Sequence, residues 1–125
     1  MRALSIRQPW AWLIVHGFKC VENRDWPTNV RGPILIHAGK NIEHNDVEWV
    51  RAMFPEIPLP DAFPVGGIVG ECRVTGCVAK LDDPWFFGPY GFTLAGAKPL
   101  PFAPLRGQLG FFPVEWPVVA PERTP

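Results

Sequence analysis

Apolar positions along the chain fall into short blocks set apart by glycine and proline. Ala3-Leu4-Ser5-Ile6 predicts a first strand, and Pro9 suits the first turn of a helix over Trp10 to His16, with Gly17 as its stop. That helix is apolar nearly all round, so it should be buried at one end of the domain rather than lie amphipathically on a surface. Lys19 to Arg24 reads as extended or turn-like, and Asp25 to Asn29 as a loop by composition. Within 30–37 the run Ile34-Leu35-Ile36 follows a Gly-Pro pair and predicts a central strand.

Asn45 or Asp46 can cap a second helix, in which Val47, Val50 and Phe54 recur at three- and four-residue spacing and Pro55 marks the end. Four prolines within 55–64 predict a stiff surface loop. Residues 65–78 read as the longest strand, with Ile68, Cys72, Val74 and Val78 on one face and Val69, Glu71, Arg73 and Thr75 on the other. A turn-rich loop over 82–91 carries Trp85, Phe86, Phe87 and Tyr90, and further strands are expected near 92–95 and 109–114. Five or six short strands, two helices and many turns predict an α+β domain built on a small, strongly curved sheet or barrel whose ends the helices close.

At 125 residues, with 47% hydrophobic and 19% charged positions, the chain has the composition of one folded domain over 1–125, of which about 116–125 reads as a loosely ordered tail. Formal net charge is zero, so no overall positive field exists to hold a polyanion non-specifically, and any nucleic-acid contact must be local. The charge is nevertheless lopsided, basic over residues 1–33 and acidic over 41–61. Cys20, Cys72 and Cys77 include no Cys-x-x-Cys pair, which points to free thiols and a cytoplasmic setting. No metal, cofactor or membrane span is expected, and the chain is read as a monomer.

Between the buried helix and the central strand lies Gly17-Phe18-Lys19-Cys20-Val21-Glu22-Asn23-Arg24, three charges of alternating sign in a framed segment. If it is extended, Lys19 lies on the face opposite Glu22 and Arg24; if it is a tight turn, Lys19 and Glu22 meet at three-residue spacing. A structural ion-pair cluster would use the same residues. As a site, Lys19 and Arg24 can meet a phosphate and Glu22 can accept from a base amino group. Trp10, Trp26, Trp85 and Tyr90 are candidates to stack a base, Trp10 being equally open to core packing, while Trp85 and Tyr90 sit in a Gly/Pro-rich loop where aromatics more often serve function than packing. Gln8 can cap the first helix or hydrogen-bond a base. For hydrolytic chemistry Glu22 or Glu71 could activate water while Lys19 or Arg24 stabilises an oxyanion. The neighbouring carboxylate favours the charged form of Lys19, so a cation is expected rather than an attacking amine. His37, at the end of an apolar strand, reads as a hydrogen-bonded core-edge histidine.

Ser5-Ile6-Arg7-Gln8-Pro9-Trp10-Ala11, Gly17-x-Lys19-x-x-Glu22-x-Arg24, and Arg31-Gly32-Pro33-Ile34-Leu35-Ile36-His37-Ala38 resemble the signature blocks of the ASCH family. The stretch Pro84 to Phe92 and the block Gly107-x-Leu109-Gly110 extend the resemblance over nearly the whole chain. It implies a PUA-like β-barrel with a cleft between barrel and flanking helices. It further implies one of three activities: binding single-stranded RNA or a nucleoside, hydrolysing N4-acetylcytidine-type nucleosides, or cleaving RNA without metal through Lys19, Arg24 and Tyr90. In the amidohydrolase subgroup the position matching Glu22 is typically Thr, and there this chain departs from the pattern. The binding expectation centres on a cleft lined by Lys19, Glu22, Arg24, Trp85 and Tyr90.

Overall fold

The computed structural model describes residues 1–117, and 118–125 of the expected tail lie outside them. Six strands and two helices follow in the order β1 (Arg2–Gln8), α1 (Trp10–Val15), β2 (Val21–Arg24), β3 (Gly32–Ile42), α2 (His44–Met53), β4 (Gly67–Val78), β5 (Tyr90–Pro104) and β6 (Phe111–Pro113). They form one mixed sheet of order β2-β5-β4-β3-β1-β6, in which only β1 and β3 run parallel. The α+β class stands. The ladder itself is open, with β2 and β6 as its terminal strands, so strand pairing among the described residues does not close the expected barrel. Side chains bring the two ends together instead. Trp26, just after β2, stands edge-on to Phe111 of β6 at a centroid distance of 5.9 Å, and Arg24 of β2 donates to the main chain of Ser5 in β1. Neither helix is long and apolar enough to cross a membrane.

α1 is short and its inward residues, Ala11, Leu13, Ile14 and Val15, are buried, as an all-apolar helix requires. At its start the Gln8 side-chain oxygen accepts the Trp12 N–H at 2.8 Å. At its end Phe18 N–H donates to Leu13 O, and Gly17 takes a φ of +81°, a backbone region that glycine enters without steric penalty. Leu4, Ile6, Ile14, Ile34, Ile36 and Phe92 form the main core between α1 and the sheet, while Ala3, Leu35, Ile68 and Phe112 pack on the sheet's other face, where Trp116 joins them. Full burial of such a side chain contributes about 1.5–3 kcal/mol.

Strict alternation along β4 fails. Ile68 packs on one side of the sheet, whereas Val69, Cys72 and Val74 pack together on the other. Opposite β3, β4 carries one extra residue, Val69, between the Ile36–Gly70 and His37–Ile68 pairs, and such a bulge reverses side-chain parity along the rest of the strand. β5 also runs far past the expected 92–95, through Pro99, Pro101 and Pro104. β2 pairs only with Tyr90–Thr93, so the later part of β5 is an outer strand, where prolines are tolerated.

Candidate functional site

β2 is extended, which puts Glu22 and Arg24 two residues apart on one face. Lys19 lies before the strand in the turn after α1, where Phe18 and Lys19 both donate their N–H groups to Leu13 O, at 2.9 and 3.1 Å. The turn swings Lys19 back over β2, so each of the two alternatives for this segment describes one half of it. Arg24 forks onto one Glu22 oxygen, Nε at 3.1 Å and Nη2 at 2.9 Å from Oε2, while Lys19 Nζ stands 3.5 Å from Oε1. Lys19 Nζ also donates to Val21 O and lies 5.5 Å from the centre of the Trp10 ring.

All three charges are removed from solvent to unequal degrees. The side chains of Lys19, Glu22 and Arg24 are 2%, 8% and 21% exposed, in that order. Such burial is tolerable because each charge has a partner and the carboxylate's hydrogen bonds are charge-assisted. Burial pushes the Lys19 ammonium below the ordinary lysine value of 10.5, outweighing the opposing attraction of Glu22. That reverses the direction expected from the carboxylate alone.

The cluster forms the floor of a cavity of about 820 Å³. Trp10, Trp49 and Phe87 make one wall, with ring planes inclined by 56–73° and centroids 5.7–6.5 Å apart. Trp26 stands on another side, 5.8 Å beneath the Arg24 guanidinium, and the β5–β6 connection supplies Gln108, Leu109 and Gly110. Asn23 holds the Phe87 wall in place. Its Oδ1 accepts the N–H groups of Phe87 and Gly88 at 2.7 and 3.0 Å, and its Nδ2 donates to Trp85 O at 2.9 Å.

The opposite connection is held by His37, 1% exposed, whose Nδ1 is 3.0 Å from Ser5 Oγ and whose Nε2 donates to Leu105 O at 2.6 Å. A β-carbon on Gly107 would come within 2.6 Å of the His37 ring, so the chain can lie against that ring only as glycine. His37 is thus the core histidine expected, and it sets the path of the loop that carries Gln108.

Of the residues singled out in the sequence, Lys19, Glu22, Arg24, Trp10 and Trp26 line the cavity. Five do not. Gly17 turns the chain beyond α1; Gln8 is spent on capping α1 and on donating to Pro64 O at 2.9 Å. Trp85, 5% exposed, is stacked on Phe54 at 4.3 Å behind Trp10, which takes the packing alternative rather than base stacking. Tyr90 pairs in register with Arg24 but stays outside the cavity lining. Glu71 is drawn to Lys98 of β5, 3.1 Å away. The sequence reading missed Trp49, Phe87 and Asn23. Asp46 and Trp49, three residues apart on α2 and both lining the cavity, carried a signal of their own, a helix face not needed by Val50. Among the described residues no three His, Cys, Asp or Glu side chains gather as a metal site.

A family profile for the ASCH domain matches residues 4–90, which hold the whole cluster and the Asn23-bound loop. Activating signal cointegrator 1 of Mus musculus is 34% identical over 83 residues, covering 62% of this chain and 14% of that protein. Its Homo sapiens counterpart is 32% identical over the same length and with the same coverage. The match therefore spans about one seventh of each relative. From residues 4–90, the chain belongs to the ASCH domain family.

Proposed function

We propose that the cavity binds a nucleotide, free or within single-stranded RNA. The observation that carries this reading is the buried Lys19–Glu22–Arg24 cluster on the floor of a cavity walled by Trp10, Trp26, Trp49 and Phe87. Aromatic faces stack bases and a charged floor reads their polar edges, a combination typical of single-strand recognition. The excess of one positive charge on the floor suits a ligand that is itself an anion, and the neutral chain confines that attraction to the site. The test is a titration with nucleoside monophosphates and short RNAs, read by tryptophan fluorescence. Saturable quenching that Lys19→Met or Arg24→Ala weakens supports the reading; no response to any of them sinks it.

Hydrolysis of an N4-acylated cytidine is a second reading, favoured by the burial that lowers the Lys19 pKa and so eases its use as an amine nucleophile. Glu71, engaged with Lys98, is not placed to assist, and Tyr90, outside the lining, gives no support to a ribonuclease. Release of cytidine from N4-acetylcytidine, lost in Lys19→Met, is the outcome that would make the protein an enzyme. A cytoplasmic, monomeric binder is the corresponding proposal for the intact chain.

A further inference from the structure

The polar capacity left open on the cavity floor is specific enough to choose a base. Glu22 lies between the two cations. Its Oε2 is filled by two bonds from Arg24, whereas Oε1 meets only Lys19, and that at 3.5 Å, the long end of a hydrogen bond. One carboxylate acceptor is therefore open. Lys19 spends one ammonium proton on Val21 O and one on Glu22, which leaves a third. Arg24 spends Nε and Nη2, on Glu22 and Ser5 O, and its Nη1 has no partner among the described residues. Glu22 thus stands between two cations, with one open acceptor of its own and an unspent donor on each of its neighbours.

We infer that the site selects the imide edge of uracil or thymine over cytosine, an inference that rests on the nucleotide-binding reading above. The imide edge runs acceptor, donor, acceptor: O4, N3–H, O2. It places its one proton opposite Glu22 Oε1 and its two carbonyls beside Lys19 and Arg24. Cytosine presents a bare N3 lone pair to the carboxylate and its amino group to a cation, two mismatches in three positions. N4-acylation leaves that N3 without a proton. Guanine sets its amino group against a cation, and adenine lacks both the central proton and a third group. A buried site built to bond a donor discriminates strongly against a base lacking it, because its own polar groups are then left unpaired.

The test compares uridine and cytidine monophosphates, their five-residue oligonucleotides, and 3-methyluridine monophosphate, in which a methyl group replaces the central proton. Binding is followed by tryptophan fluorescence and calorimetry. Uridine monophosphate should bind at least about tenfold more tightly than either cytidine or 3-methyluridine monophosphate, the discrimination that one well-formed base-edge contact provides. The oligonucleotides should keep the same order, and a gain in affinity only in that arm would identify a polymer ligand. In Glu22→Gln the amide oxygen stays with the Arg24 fork and the NH2 turns to the cavity, so the preference for uridine should vanish or reverse. Equal binding of uridine, cytidine and 3-methyluridine nucleotides would overturn the inference while leaving nucleotide binding intact. Binding of none, as monomer or oligomer, would overturn both.

Discussion

Arg24 Nη2 donates to Ser5 O at 2.8 Å, and through that bond the strand at one end of the sheet order is tied to the strand next to its other end. The same guanidinium holds Glu22 by two nitrogens, so it serves the curvature of the sheet and the electrostatics of the cavity at once. Arg24→Lys keeps the charge but has one nitrogen for three bonds. It should destabilise the protein by about 2 kcal/mol in urea unfolding, the loss of one or two charge-assisted hydrogen bonds. An unchanged midpoint would mean that the fork does not bear on stability.

Lys19 predicts a pH dependence of definite sign. Its folded-state pKa lies below the ordinary 10.5, so between the two values the unfolded chain binds more protons than the folded one, and stability attributable to this group rises with pH. The stability of the native sequence relative to Lys19→Met should accordingly increase from the depressed pKa up to 10.5, measured by urea unfolding at a series of pH values. A relative stability that falls over that window would show that attraction to Glu22, not burial, governs the lysine.

Asn23 is the hinge pin of the aromatic wall. Asn23→Ala removes the acceptor shared by the Phe87 and Gly88 amides, whose hydrogen exchange should quicken about tenfold, a net bond of ordinary strength. Exchange in β3 should be unaffected. Equal acceleration in both places would indicate general loosening instead.

The thiols should separate by reactivity. Cys20 is exposed, whereas Cys72 is buried and its pKa is pushed up to about 12 by desolvation and by the charges of Glu22 and Glu71. A disulfide reagent at pH 8 should modify Cys20 promptly and leave Cys72 unmodified until denaturant is added. Rapid modification of Cys72 in the native protein would contradict its placement.

Local chemistry made the residues of the floor readable in the sequence, because Lys19, Glu22 and Arg24 lie within six residues, but their spacing left the extended and the turned geometry open and the turn after α1 combines the two. Both helices were readable for the same reason, from Pro9 and Gly17 around one and from Val47, Val50 and Pro55 in the other, although α2 starts at His44 behind Glu43 and holds the expected caps Asn45 and Asp46 within its first turn. The walls were not. Trp49 and Phe87 reach the cavity through tertiary packing of α2 and the loop before β5, and nothing local distinguishes Phe87, which faces the cavity, from Trp85 two residues earlier, which is buried. Parity along β4 was lost at Val69, an extra residue opposite β3 whose place depends on the partner strand as much as on β4 itself.

The prolines of β5 have a consequence beyond the fold of one molecule. Where β2 ends, the outer side of β5 would offer free backbone donors and acceptors to any passing extended chain, the usual start of edge-to-edge aggregation. Pro99, Pro101 and Pro104 leave this stretch three backbone N–H groups short, which thins the row of donors along it. Continuation of the sheet by a second molecule is disfavoured there, so the longest strand among the described residues carries its own protection against edge-to-edge pairing.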